Sequence, residues 1–212
     1  MIDNQAVLIG LSTLFASIPA IIWIYILFQK KEKSRKTILL VFLLGCFTAP
    51  ALLGLQFLWN KFPNFNLAQF ITENAEGQST AFILTFMLFG AMEEIIKLYV
   101  VRIIDKKTLL INTVDDAIRY SFAAALGFSF TENIYYLYQF WPSISGGELI
   151  GMYIFRSTFT TCAHLIFSGI LGYYYGIGKF SIDIANQAKV TGKIPFSTRI
   201  IQKVFALPIS QA

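Results

Sequence analysis

Charge is scarce in this chain: 14% of its 212 residues are Asp, Glu, Lys or Arg, against 56% that are hydrophobic. Soluble domains carry about 25% charged residues, so an ordinary water-facing surface is excluded. Histidine is scarcer still, with His164 alone, so no HExxH zinc motif exists. The two cysteines, Cys46 and Cys162, lie inside apolar stretches where nothing pairs them, which excludes a disulfide framework. No aspartate falls within a predicted span, which removes an aspartyl mechanism, and no serine stands in a GxSxG context. Internal repeats and paired broken helices, features of many transporters, are absent. The leading MIDNQ has no basic residue, and the apolar run after it exceeds the 7 to 15 residues of a signal-peptide core, so it reads as a retained span.

What is present is apolar length. Five hydrophobic segments, 6–28, 37–60, 80–104, 117–140 and 150–176, each match the ~20 residues that cross a ~30 Å hydrocarbon layer. The expected fold is all-α, a polytopic transmembrane bundle of about five spans. Residues 1–178 form a membrane-embedded domain, and 179–212 a basic cytoplasmic tail whose last part can lie as a helix on the membrane surface. Lys30, Lys31, Lys33, Arg35 and Lys36, then Lys106 and Lys107, then Lys179, Lys189, Lys193, Arg199 and Lys203 fall on one side, against Lys61 on the other. The positive-inside rule puts the N-terminus outside and the C-terminus in the cytoplasm. The same clustering explains the net charge of +5 through topology and anionic lipid, so no nucleic-acid partner is expected.

Against this background the intramembrane ionisable residues stand out: Glu93, Glu94 and Lys97 in the third span, Glu132 in the fourth, Arg156 and His164 in the fifth. Such groups are costly in hydrocarbon and face a protein interior or a wet cavity. At 1.5 Å per residue from the cytoplasmic ends, Glu93 lies roughly 16 Å deep, Glu132 roughly 22 Å and His164 roughly 18 Å, so the three are level. Lys97 stands at i+4 from Glu93 and i+3 from Glu94 and can pair with either. One glutamate held by Lys97 beside a second that is free suits a general base with an electrostatic partner; the alternative is a buried ion pair that only fixes packing. His164 with Glu132 and Glu93 or Glu94 is also a donor set that zinc uses in catalysis, so a divalent metal stays open, with none firmly predicted.

The remaining polar groups have structural readings. Ser168, Gly172 and Gly176 repeat every four residues, a pattern that lets helices approach closely. Asn112, Thr113, Asp115 and Asp116 suit the start of the fourth helix. Arg102 and Arg119 sit near the cytoplasmic ends, where Asp105 and Asp115 are at helical spacings for pairing. Pro19 and Pro50 are expected to kink the first two spans.

Glu93-Glu94-Ile95-Ile96-Lys97, then Gly127-Phe128-Ser129-Phe130-Thr131-Glu132-Asn133, then His164 with small residues after it, resembles the PrsW family of bacterial membrane proteases, within the wider superfamily of CAAX endopeptidases and bacteriocin-processing enzymes. The likeness spans about residues 80–178, making that stretch the expected catalytic core. It implies an enzyme of the bacterial cytoplasmic membrane that hydrolyses a peptide bond of a membrane-anchored protein, typically by site-1 cleavage of an anti-sigma factor. It implies that Glu93 or Glu94 activates water, with Glu93 preferred, while Glu132 and His164 position it and stabilise developing charge. Where CAAX endopeptidases have asparagine one turn after the last histidine, this chain has Ser168, leaving Ser168 and Asn133 as oxyanion candidates and Arg156 as a binder of substrate carbonyl or site carboxylate. The residues themselves leave two other classes open, a proton or ion carrier and an inactive scaffold. A protease predicts a water-accessible cavity among the third, fourth and fifth spans.

Overall fold

A computed structural model describes residues 5–29, 35–109 and 111–191, with side chains as far as residue 181. The elements run α1 (Gln5–Phe28), α2 (Arg35–Cys46), α3 (Thr48–Lys61), a 3-10 turn (Pro63–Phe65), α4 (Leu67–Asn74), α5 (Gln78–Thr108), α6 (Val114–Phe140), α7 (Gly146–Phe155), a π-helical segment (Arg156–Thr160) and α8 (Thr161–Thr191). No strand occurs among the described residues. The five apolar segments of the sequence correspond to α1, α2 with α3, α5, α6, and the run from α7 through α8. Three stretches, Gln5–Phe28, Arg35–Lys61 and Gly146–Ser181, are long and apolar enough to cross a membrane. α5 and α6, of 31 and 27 residues, are about 46 and 40 Å long. α8 continues to Thr191, past the expected boundary at 178; the sequence has no proline there before Pro195. The surface helix expected in the tail lies outside the described residues.

α6 is the axis on which α1, α2, α5 and α8 pack. Its middle is built of small residues, with Ala123, Ala124 and Ala125 fully buried. At Gly127 the approach of α2 is so close that a Cβ would run into the Phe42 carbonyl oxygen and lie 2.8 Å from the Cys46 nitrogen. Gly45 of α2 meets the Ala124 backbone in the same way. On the other side of α6, Gly172 abuts Ser121 and Ala117, and a Cβ on Gly176 would lie 2.9 Å from Val114 Cα. The four-residue repeat of α8 therefore packs it against α6.

Each helical proline leaves a carbonyl four residues earlier without its N–H partner. Pro19 frees the Phe15 carbonyl, and the Tyr153 hydroxyl donates to it at 3.2 Å. Pro50 frees the Cys46 carbonyl, where the helix breaks between α2 and α3, and the Thr131 hydroxyl donates to it at 3.0 Å. Both freed carbonyls are thus fastened to a distant helix. The start of α6 is capped as expected, with the Thr113 side chain accepting from the Asp116 N–H at 3.1 Å and Asp116 accepting from the Asn112 N–H at 3.2 Å.

The pairings expected of Arg102 with Asp105 and of Arg119 with Asp115 are replaced by longer-range ones. Asp105 is buried and accepts from the Lys179 ammonium at 2.6 Å and the Tyr175 hydroxyl at 2.7 Å, while Lys179 also donates to the Ile111 carbonyl at 2.9 Å. Arg119 is buried too and donates to the Leu27 carbonyl of α1 at 2.6 Å. Both residues lie on packed faces, where a buried charge must be matched from the neighbouring helix, whereas exposed pairs of close spacing contribute little.

Because the atoms facing Gly127 belong to the backbone of α2, Gly127→Val has no flexible neighbour to displace. It is expected to lower stability in detergent by about 1–3 kcal/mol or more. Gly151→Val, at a glycine with nothing within 4 Å, should leave the unfolding midpoint nearly unchanged, and equal shifts in the two variants would contradict the packing described.

Candidate functional site

The ionisable residues singled out in the sequence meet in one cluster between α5, α6 and the stretch from the π segment into α8. Lys97 is its centre and is 1% exposed. Its ammonium donates to Glu94 Oε1 at 2.7 Å and to His164 Nδ1 at 3.0 Å, and lies 4.0 Å from the centre of the Phe128 ring. An ammonium has three donors and no lone pair, so Nδ1 of His164 accepts. The imidazole proton then sits on Nε2, which donates to Glu132 Oε2 at 3.1 Å. The Phe128 ring also packs edge-on against the imidazole, 5.0 Å between centroids.

Arg156 completes the far side. Its guanidinium donates to the same Glu132 Oε2 at 2.8 Å and to Asn133 Oδ1 at 3.0 Å, and it lies 3.7 Å over the Tyr136 ring. Arg156 opens the π segment, and its carbonyl accepts both the backbone N–H of Thr161, five residues on, and the Thr161 hydroxyl at 3.0 Å. Thr161 in turn lies 2.9 Å from the Ser129 hydroxyl, which must be the donor in that contact. At the opposite end Ser168 donates to Glu94 Oε2 at 2.6 Å. A continuous line of polar contacts therefore runs Ser168, Glu94, Lys97, His164, Glu132, Arg156, Asn133.

Glu93 stands beside this line without joining it. Its carboxylate is 3.9 Å from Lys97 Nζ and 3.9 Å from His164 Nδ1, near enough to feel their field, yet it has no hydrogen bond among the described residues. It is also the most exposed of the three glutamates, at 23% of its side chain against 14% for Glu94 and 19% for Glu132. Glu93 and Glu132 both line a cavity of about 220 Å³. The cavity has walls from α3, α5 and α6, with Leu52 and Gln56 on the α3 side and Phe128 and Tyr136 on the α6 side. The expectation of a cavity among the third, fourth and fifth spans is corrected here: α8 packs against α6 through its glycines, and α3 supplies the wall instead.

The donor types of Glu93, Glu132 and His164 suit a divalent ion, but their arrangement does not. Both imidazole nitrogens are engaged, one of them by a cation, and among the described residues no three of His, Cys, Asp and Glu converge on one point. The sequence reading named all eight polar members of the cluster, but not the aromatic rings beneath the two cations. The spacing of Phe128 and Glu132, one turn apart, was the available signal for the first ring; for Tyr136 the same i+4 step from Glu132 existed and was obscured by the many neighbouring tyrosines.

A family profile described as PrsW family intramembrane metalloprotease matches residues 33–198. No curated protein matches the chain, and no solved structure does.

Removing the central cation should be felt by both of its partners. Lys97→Met leaves Glu94 buried without its counter-charge and is expected to destabilise the protein by about 3–5 kcal/mol. The double variant Lys97→Met with Glu94→Gln should recover a large part of that loss in a double-mutant cycle read by unfolding in detergent; strictly additive losses would mean the two side chains do not interact.

Proposed function

The chain belongs to the PrsW family of intramembrane metalloproteases, and from that premise we propose that it hydrolyses a peptide bond of a membrane-anchored protein, with Glu93 as the base that activates water. The observation that carries the assignment is the contrast between the glutamates. Glu94 has both oxygens committed, to Lys97 and Ser168, and Glu132 is held by His164 and Arg156, whereas Glu93 is unbonded and faces the cavity. A general base needs a free lone pair within reach of its water.

In this scheme a water in the cavity gives a proton to the Glu93 carboxylate as its oxygen bonds to the substrate carbonyl carbon. The carbonyl π electrons move onto oxygen, forming a tetrahedral oxyanion. When the intermediate collapses, the C–N bond breaks and the proton held by Glu93 passes to the leaving nitrogen, restoring the carboxylate. Donors for the oxyanion must be free or able to turn from their resting partners. Ser168 is a poor candidate, because its one proton goes to Glu94. Arg156 uses two of its five N–H groups on Glu132 and Asn133 and suits the role better, whereas Asn133 lines a separate space with Ala16 and Pro19. Lys97 and Glu132 fix His164 as a neutral Nε2–H donor aimed along the same side. No step is assigned to a metal.

The charge distribution supports five spans with the N-terminus outside, and the family likeness favours the cytoplasmic membrane of a bacterium. With this topology the cavity runs from the Glu93 level toward the outer end of α3 and α6. That position suits a substrate cut near the outer face, and the family likeness favours a membrane-anchored anti-sigma factor as that substrate.

Co-expression with a panel of tagged single-pass anti-sigma proteins tests the reading. Glu93→Gln at matched abundance is expected to reduce cleavage at least about 10²–10⁴-fold, the range for loss of a general base, and His164→Ala to reduce it strongly. Ser168→Ala should fall by about 10–10²-fold at most, since a hydrogen bond to a charged group contributes about 1.5–3 kcal/mol. Cleavage that survives Glu93→Gln would remove Glu93 from the mechanism, and uncut substrates throughout, with folded protein, would move the function to carrier or scaffold.

A further inference from the structure

We propose that the cavity beside Glu93 is a specificity subsite: it takes one large, uncharged apolar side chain of the residue adjoining the scissile bond, received from the bilayer between α3 and α6. This rests on the proteolytic reading above and adds to it a substrate chemistry.

The first argument is size and continuity. The cavity holds about 220 Å³ and reaches both Glu93 and Glu132, whereas a water takes about 30 Å³ in the liquid. The volume exceeds what a hydrolytic water needs and accommodates a peptide group with one bulky side chain. Any peptide bond brought to Glu93 places its neighbouring side chain here, because the same space touches the carboxylate.

The second argument is the chemistry of the walls. Ala49 and Leu52 of α3 and Phe128 of α6 form one buried apolar cluster, with Met92 packed against it. Ala49, Leu52, Leu53 and Gln56 follow at i, i+3, i+4 and i+7, so α3 turns a single face to the cavity. The floor holds two carboxylates. An Asp or Glu side chain entering this space would bring a third negative charge next to them, which is unfavourable. A leucine, isoleucine, methionine or phenylalanine brings no charge and can lie against Ala49, Leu52, Leu53 and Phe128.

The third argument concerns the entrance. Leu53 and Tyr135 both line the cavity, yet they are 39% and 42% exposed, unlike Leu52 at 6% and Phe128 at 2%. Residues that line a space and also face outward mark its mouth. The mouth therefore lies between α3 and α6, on the flank of the bundle, where the surroundings of a membrane-spanning helix are lipid. α3 is set apart for this by the break at Phe47 and by the Thr131 bond to the carbonyl that Pro50 frees.

The test uses wild-type protein in liposomes of phosphatidylethanolamine and phosphatidylglycerol. The probe is a pool of single-pass peptides, each an alanine–leucine span followed by a randomised six-residue segment, with cut sites read by mass spectrometry. Wild type is expected to cut beside Leu, Ile, Met or Phe and to avoid Asp and Glu. Leu52→Trp, which fills the cavity, should shift the preference toward Ala or Ser by about ten-fold or more, the discrimination that small volume changes in apolar pockets produce. Leu52→Ala should shift it toward Phe and Trp, and provides the same test if the tryptophan variant does not fold. Flanking preferences identical in wild type and in either folded variant, or enrichment of charged residues at the cut, would overturn the subsite while leaving the protease intact. If wild type cuts no member of the pool, the proteolytic reading fails and the subsite with it.

Discussion

A buried ammonium holds the centre of this molecule. Lys97 joins α5 to α8 through His164, neutralises Glu94 within its own helix and rests on the Phe128 ring of α6. A lone cation in an apolar interior would be prohibitively costly, so its presence requires the anion, the lone pair and the ring to stay where they are. In turn it decides the protonation of its neighbours: with Nδ1 accepting, His164 must offer its proton from Nε2 toward Glu132. One point charge thereby orients an imidazole and one carboxylate, and by occupying Glu94 it leaves Glu93 as the glutamate without a bond.

The scaffold answers to the same need for local satisfaction. In hydrocarbon a free backbone carbonyl has no water to turn to. Both carbonyls that the prolines free are accordingly taken by hydroxyl groups from other helices, Tyr153 for Phe15 and Thr131 for Cys46. The second of these links the chain break between α2 and α3 to the residue just before Glu132. The kink that sets the cavity wall and the helix that carries a site carboxylate are therefore tied by one hydrogen bond.

Much of this was legible in the sequence, for identifiable reasons. Ionisable residues in apolar segments are so conspicuous that Glu93, Glu94, Lys97, Glu132, Arg156 and His164 could be named, and the pitch of the helix placed them at one level. The repeat of Gly172 and Gly176 likewise predicted close packing. What escaped was whatever depends on rotation and on contacts across the chain. Spacing allowed Lys97 to reach either glutamate, and only the packed geometry separates 2.7 Å to Glu94 from 3.9 Å to Glu93. Asp105 and Arg119 looked like partners of their own helices because such pairs can be counted off in the sequence, while Lys179 and the Leu27 carbonyl are 74 and 92 residues away. The contribution of α3 to the cavity was hidden for a similar reason: Ala49, Leu52 and Leu53 are ordinary apolar residues, and Gln56 alone hinted at a wet face.

The π segment between α7 and α8 carries a consequence for chain length. In an unbroken α-helix, Arg156 and His164 would be separated by about 80° around the axis, since eight steps of about 100° overshoot two turns. A π turn accommodates one additional residue, which brings that separation down to about 20° and lets both side chains reach the same oxygen of Glu132. The stretch from Arg156 to His164 is thus one residue longer than a regular helix would require. Deleting one residue of Ser157–Thr160 would leave seven regular steps and keep both side chains on one face, whereas a change that made the helix regular at its present length would swing the guanidinium off its carboxylate without altering the composition of the site.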